Sequence, residues 1–546
     1  MNDLFGAPLV VPETRNISEL FSERARERPD QDAVRTVDGA RVSFGELDRR
    51  ASGLAGALAK RGLARGDRVC LFVRPGVELI LIAHALLRLG AVPVLIDPGM
   101  GRRSLLAAVE RMQPHALIGV PRAHVARLLF PAAFRSVRLA VTVGRSLGWG
   151  GPTLRALERE APRSFATLAP EPGDEAAILF TSGSTGPPKG VVYTHGIFTA
   201  QTEALRQLYD LEPGAVDLAC FPLFALFDHA LGMTSVFAPL DPSSPATSDP
   251  AAIVAAADAH GATFSFGSPA IWRRVLAYLE AHDLRFRTLT RITIAGAPVP
   301  PSLTTALAAR LAEGGAVHTP YGATEALPIA SLASFETSLE LRARIEGGEG
   351  TCVGRLAPGV RLRVIPITDE ALEKLPPGLP QGSIGELVVA GPVVTPRYRA
   401  DEAATRAAKA HDADGRSWHR MGDLGRIDEE GRVWFLGRKS HRLETHHGML
   451  PPVGIENIFN VLEAVHRTAL VGVGRRGAER CVLVVEAAPG VAARAAVEAC
   501  WTLAATRTDL PEIVEVLAHP GFPVDVRHNA KIDRPELRLW AEARVL

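Results

Sequence analysis

Lysine is scarce in this chain of 546 residues: Lys60, Lys189, Lys374, Lys409, Lys439 and Lys531 are its whole complement, and the rest of its 61 basic side chains are arginine. Where a surface cation is arginine by default, a lysine marks a place suited to a compact point charge. Cysteine is also sparse. Cys70, Cys220, Cys352, Cys481 and Cys500 lie far apart without Cys-x-x-Cys spacing, which excludes a disulfide framework and a zinc site legible in sequence. An excess of either charge is missing, since the formal net charge is +1, so no global basic field draws the protein to nucleic acid. The first thirteen residues have neither a cationic start nor an apolar stretch, and no signal peptide is expected. The most apolar window, residues 77–96, is interrupted by Glu78, His84, Arg88 and Pro93, so no transmembrane segment is expected either. These absences describe a soluble, cytoplasmic protein.

What is present has a globular balance, 47% hydrophobic and 22% charged, and the chain is long enough for two or three domains. Amphipathic patterns predict helices over 16–28 and 44–61. Strand patterns at 69–73, 92–96 and 116–120 then alternate with helical ones at 77–89 and 102–112. That alternation is the mark of βαβ units and a parallel, doubly wound α/β sheet. Further strands are expected at 177–181, 218–222, 263–267 and 291–295, with a surface loop over 240–250. From about Gly350 the texture changes to short strands with turn signals, such as 385–390 and 433–436, predicting an antiparallel β region. After Gly437-Arg438-Lys439 the pattern restarts with a helix, strands at 469–473 and 481–486, and a further helix, which suits a small α+β unit.

The run Thr181-Ser182-Gly183-Ser184-Thr185-Gly186-Pro187-Pro188-Lys189-Gly190 follows an apolar strand. Hydroxyls and small residues leave backbone N–H groups free to wrap phosphate oxygens, and the lysine adds charge. It is not a Walker A loop, because Gly190 rather than Ser or Thr follows the lysine. This run resembles that of the adenylate-forming superfamily, which includes acyl-CoA synthetases, luciferases and peptide-synthetase adenylation domains. Further motifs match in the order this family has them: Gly296-Ala297-Pro298, Tyr321-Gly322-Ala323-Thr324-Glu325, Met421-Gly422-Asp423, Gly437-Arg438, and a tail Asn529-Ala530-Lys531-Ile532-Asp533.

The resemblance implies an ATP- and Mg²⁺-dependent ligase that converts a carboxylate into an acyl-AMP with release of pyrophosphate. Gly296, Ala297 and Pro298 would frame adenine, Tyr321 would stack on it beside Gly322 and Thr324, and Asp423 with Arg438 would grip the ribose. Thr181 to Gly186 would bind phosphates together with Lys189, and Glu325 with Thr185 would hold Mg²⁺. Lys531 would meet the negative charge that develops as the carboxylate attacks the α-phosphate. Lys189, Lys439 and Lys531, half of all the lysines, fall in these motif segments. Residues 1–438 would form an AMP- and acyl-binding domain, and 439–546 a lid hinged at Lys439–Ser440.

Two departures narrow the family. Acyl-CoA ligases usually follow the hinge with an Ile-Lys-x-x-Gly-type segment, whereas this chain continues Ser440-His441-Arg442-Leu443-Glu444-Thr445-His446-His447-Gly448. Phe221-Pro222-Leu223-Phe224 is followed by Ala225, where many ligases carry histidine, and then by Leu226-Phe227-Asp228-His229. In this combination the chain is similar to the β-lactone synthetases of bacterial long-chain olefin and β-lactone pathways. The implied substrate is a hydrophobic 2-alkyl-3-hydroxy carboxylic acid whose own hydroxyl closes on the activated carbonyl, without CoA. Other enzymes of the same pathway would be its partners. His195, Phe224, Asp228, His229 and Ala323 are the candidate acyl-pocket residues, with Asp228–His229 or His195 as the base for ring closure. The alternative is a long-chain acyl-CoA or acyl-carrier-protein ligase, and a third reading is a nucleotide-binding assembly partner. His441, His446 and His447 form a further histidine group, but without cysteine or acidic residues at metal-ligand spacing no metal site is expected there.

Overall fold

The computed structural model describes residues 3–11, 15–146, 148–171, 173–181, 188–241, 247–524 and 532–545. Two sheets and a group of helices between them build most of the chain. In the first sheet the strands run in the order Leu139–Thr142, Ala116–Gly119, Arg68–Phe72, Val92–Leu95, Glu175–Thr181, Lys189–Thr194. All neighbours are parallel except the last pair, an antiparallel hairpin in which Thr181 lies opposite Lys189. The strand–helix alternation expected from sequence is thus present, and the hairpin partner Lys189–Thr194 is an addition to it.

The second sheet has a parallel half and an antiparallel half. The strands Asp32–Arg35, Thr234–Phe237, Val216–Ala219, Phe264–Gly267, Arg291–Ile294 and Ala316–Ala323 lie side by side in parallel. From Ala326–Ala333 onward the pairing is antiparallel, through Thr351–Leu356, Val433–Arg438, Ser417–Ile427, Gly385–Ala390 and Arg361–Ile365. The β texture after Gly350 accounts for this second half.

The helix Val77–Leu89 explains why the two sheets stay together. Every residue from Leu79 to Leu89 is buried, and a helix apolar on all sides has to be covered on all sides. Its Ile80, Leu81 and Leu86 share one core with Phe21 and Phe44 from the preceding helices, Ile118 of the first sheet and Ala219 of the second. Arg88 is the one cation in this layer of the helix, and it bonds to Ser22 and Asp48. The apolar window that was too interrupted for a bilayer is therefore a central core helix. Among the described residues no helix is long and apolar enough to cross a membrane.

A small C-terminal α+β domain completes the chain. Its strands Val465–Val473, Arg480–Ala487 and Ile513–Ala518 form a separate sheet, packed by the helices Ala493–Ala505 and Arg534–Val545. A short hairpin, Leu443–Thr445 with Gly448–Leu450, and the helix Pro452–Phe459 precede it. That helix rests on the segment Ile345–Glu349, where Gly348 has φ +106° and Asn457 donates to Gly350 O at 3.1 Å. A Cβ on Gly454 would stand 2.2 Å from the Gly348 carbonyl oxygen, so two backbones touch here. Gly454→Ala should therefore lower stability against urea by about 1–3 kcal/mol, as overpacked backbone contacts do. An unchanged denaturation midpoint would show that this contact does not hold the domain in place.

Candidate active site

The parallel strands of the second sheet end at one edge, and open α/β sheets bind ligands beyond such carboxyl ends. Arg291–Ile294 ends there and leads into Gly296-Ala297-Pro298, where Gly296 adopts φ +100°, a left-handed conformation suited to glycine. Beside it, Ala316–Ala323 turns back at once. Ala323 pairs with Ala326, which leaves Thr324-Glu325 as a two-residue loop with the carboxylate at its tip. Gly322 permits the irregular step between Tyr321 and Ala323, because a Cβ at that position would lie 2.6 Å from Ala326 O.

The loop is held from both sheets. Tyr193, on the last strand of the first sheet, donates its hydroxyl to Thr324 O at 2.6 Å. Thr395 donates its backbone N–H and its Oγ1 to Glu325 O, both at 2.9 Å. The Tyr398 hydroxyl donates to Glu325 Oε1 at 2.7 Å, and Lys189 Nζ lies 5.0 Å from the Tyr398 ring centroid. Burial first, and then the Glu325 charge, push the Tyr398 phenol above its ordinary value, so it stays a donor. Lys409 lies deeper. It is 7% exposed and its Nζ donates to Thr395 O. Burial pushes this ammonium down to about 7, against the attraction of Glu325.

A second cluster stands beside the first. Asp423 and Arg438 are fifteen positions apart because a hairpin places them directly opposite in the ladder. Arg438 Nη1 donates to Asp423 Oδ1 at 2.9 Å and to Met421 O at 2.8 Å, and the Tyr321 hydroxyl donates to Asp423 Oδ2 at 2.6 Å. The Asp423 charge raises Arg438, and burial followed by that same charge raises the Tyr321 phenol. Each carboxylate oxygen has a further lone pair for a diol or another donor. Tyr321 is thus fixed by its hydroxyl, and its ring lies 6.0 Å from that of Phe435.

The apolar candidates divide. Phe224 belongs to an aromatic group at the ends of the strands, 5.3 Å from the rings of both Phe264 and Phe266, with Phe221 40% exposed beside Phe266. Ala323 is half-buried at the end of its strand, next to the Thr324-Glu325 loop. Asp228 and His229 are elsewhere. His229 is fully buried among Phe21, Phe44 and His84, and its Nε2 bonds to Ala33 O at 3.2 Å. Asp228 is fully buried with Asp217 and takes a 2.6 Å hydrogen bond from Ser235. Burial pushes both acids up, Asp228 to about 7 and Asp217 well above its usual range, Asp217 also by repulsion from Asp228. His195 is 2% exposed, and burial first, with Asp174 and Arg65 as the nearby charges, pushes its imidazole down to about 4. Asp228, His229 and His195, the candidate bases expected from sequence, are thus all buried side chains in this structure.

Ser182, Gly183, Ser184, Thr185, Gly186 and Lys531 lie outside the described residues, as does the side chain of Thr181. Residues 21–399 match the family model described as AMP-binding enzyme. The chain belongs to this AMP-binding enzyme family. An olefin β-lactone synthetase of Stenotrophomonas maltophilia is 46% identical over 97% of this chain and 98% of its own length. One from Xanthomonas campestris pv. campestris is 45% identical over 96% and 97%. The crystal structure of ATP-bound MatB from Rhodopseudomonas palustris superposes with a TM-score of 0.78 at 23% identity, over 97% of this chain and all of that one, and shares the fold.

Of the family motifs, the structure brings Tyr321, Asp423 and Arg438 together, and Glu325 with the strand that carries Lys189. Sequence reasoning missed Tyr398 and Thr395, which bond Glu325, and Lys409, which bonds Thr395. The scarcity of lysine was the one available signal, and it singled out Lys189, Lys439 and Lys531 rather than Lys409. The burial of His229 has a consequence for acid stability of this AMP-binding enzyme. Burial pushes its imidazole down to about 4 from an ordinary 6.5. Between those values the unfolded chain binds a proton that the folded one refuses, so stability is lost as pH falls from 7 to 4. His229→Gln, which keeps a donor for Ala33 O, should lose on the order of 3 kcal/mol less over that interval. Equal losses in the two proteins, read from urea midpoints, would show that His229 is not the group that titrates.

Proposed function

We propose that this enzyme adenylates a 2-alkyl-3-hydroxy fatty acid with ATP and then closes it to a β-lactone, releasing pyrophosphate and AMP. The observation that carries this reading is likeness to olefin β-lactone synthetases at 46% and 45% identity along nearly the whole of both chains, C-terminal domain included. In the first step the substrate carboxylate attacks the α-phosphate and pyrophosphate leaves. In the second the 3-hydroxyl oxygen attacks the acyl carbonyl, its proton is lost, and AMP departs. Because nucleophile and electrophile belong to one molecule, the protein has only to hold them in a bent conformation and exclude water. The exposed Phe221 and the half-buried Phe266, with Phe224 packed behind them, would offer an apolar wall for the alkyl chains.

Gly296 to Pro298 and the Tyr321 ring would border adenine, and Asp423 with Arg438 the ribose. Lys189 and residues 181–186 would meet the phosphates. The donor set suits Mg²⁺. Glu325 uses Oε1 for Tyr398, and Oε2 has no hydrogen bond among the described residues, which leaves a hard oxygen ligand. No cluster of three or more potential ligands occurs among the described residues, so a metal here would share its coordination between Glu325, Thr185 and the phosphates. Bound there, Mg²⁺ would neutralise phosphate charge, while Tyr398 and Thr395 keep the carboxylate aimed.

Residues 439–546 would act as a lid that swings about Lys439–Ser440 and delivers Lys531. Beside the close packing of Gly454 on Gly348, polar and exchangeable contacts support this reading: Lys439 Nζ donates to Glu386 at 2.9 Å and Thr368 O at 2.6 Å, and Arg442 and Arg476 both pair with Asp369. Lys531→Ala should leave ATP affinity within a few-fold and reduce pyrophosphate release by at least a hundredfold, since the ammonium acts on charge that develops in the transition state. Unchanged release would remove Lys531 from the mechanism.

The choice of nucleophile has its own test. A 3-hydroxy acid should give lactone, AMP and pyrophosphate at a rate indifferent to CoA. Its 3-deoxy analogue should stop after about one pyrophosphate per enzyme, because adenylation does not involve the β-carbon whereas ring closure needs its oxygen. Steady conversion of the 3-deoxy acid into a CoA thioester would replace this reading with that of an acyl-CoA ligase.

A further inference from the structure

Lys409 has no part in the family motifs, and its surroundings set it apart from a structural cation. It is 7% exposed and has no ion pair among the described residues; the residue opposite it in the ladder is His419. His419 is 3% exposed with its Nδ1 unpartnered, and burial together with the cations Lys409, Arg438 and Lys189 holds it neutral. The histidine therefore neither balances nor repels the ammonium. The carboxylate acting on Lys409 is Glu325. The two are joined through one residue. Lys409 Nζ donates to the carbonyl of Thr395, and the N–H and Oγ1 of Thr395 both donate to the carbonyl of Glu325.

We propose that Lys409 is a positioning residue for the Glu325 carboxylate, acting through Thr395 to fix the hairpin tip and supplying the positive charge that holds the carboxylate for a metal–triphosphate. The inference rests on the reading that Glu325 faces the metal and phosphates of ATP. A chain of three hydrogen bonds ending on a backbone carbonyl sets where the tip sits, and Tyr398 then sets which way its carboxylate points. A buried ammonium without an ion pair is expensive to maintain unless a charge nearby repays it. Glu325 is that charge. Lysine rather than arginine fits because one carbonyl is the acceptor on offer, and a guanidinium would bring five N–H groups into a space with few partners.

The proposal separates ligands by their phosphates. AMP touches the adenine and ribose side of the site, whereas MgATP also engages Glu325. Lys409→Met in the full-length protein should weaken MgATP binding at least tenfold by calorimetry and leave AMP binding within twofold. The Mg²⁺ concentration giving half-maximal pyrophosphate release should rise in parallel, with the KM for the acid within twofold and the thermal midpoint unchanged or higher. Thr395→Val, which removes the hydroxyl link alone, should move MgATP binding in the same direction by a smaller factor, and it decides the matter if Lys409→Met does not fold. Equal effects on AMP and MgATP with a lowered thermal midpoint would assign Lys409 a purely structural role and overturn the proposal, as would MgATP binding unchanged in the variant that folds. Because the decisive readout is the ratio of two nucleotide affinities, it stands whether or not the wild-type protein forms lactone.

Discussion

The site depends on a two-residue turn. Thr324 and Glu325 reverse the chain between two strands of the second sheet, and their carbonyls are taken by residues from elsewhere: Tyr193 of the first sheet on one, Thr395 on the other. A tight loop at the edge of a sheet is free to shift by an ångström or more when nothing anchors it. Here both carbonyls and the carboxylate are anchored, so the tip is fixed relative to Lys189 on one side and the Asp423–Arg438 pair on the other. The strand segment that supplies these bonds is itself bridged to both sheets, Val394 to Ala326 and Tyr398 to Val191. The two halves of the large domain therefore meet at the place where chemistry is proposed, and the buried helix Val77–Leu89 secures them behind it.

Much of this was legible in sequence where periodicity or spacing carried it. The alternation of strands and helices before residue 120 reports burial on both faces of a parallel sheet, and the structure follows it nearly residue for residue. The fifteen-residue step from Asp423 to Arg438 translates into a cross-strand pair because the turn between them sets the register. What the linear pattern leaves undecided has a common cause. Asp228 and His229 look like chemistry, since polar residues near an acyl wall attract attention. Whether a short helix turns such residues toward a cavity or toward the core is decided by tertiary packing, which a linear pattern does not encode. Tyr398, Thr395 and Lys409 were missed for the converse reason: each acts through a contact with a residue some 70 or more positions away, or through a carbonyl that has no sequence signature.

The described lysines of the site show what arginine does not supply. Arg420 makes the paired contact to Glu386 that its planar fork favours, with 3.2 and 2.6 Å bonds in a buried setting. Lys439 reaches the same carboxylate from another side with one bond, and spends another on a carbonyl. Lys409 bonds a single carbonyl, and Lys189 lies near an aromatic ring at the mouth of the hairpin. Each position asks for charge at a point, with few acceptors around it. An ammonium meets that demand on a flexible stem and can release or re-form its bonds singly, whereas a guanidinium has to satisfy its fork as a unit. In a chain that otherwise uses arginine, Lys189, Lys409 and Lys439 stand where one or two acceptors or a ring are on offer, whereas Lys60 and Lys374 are exposed surface cations.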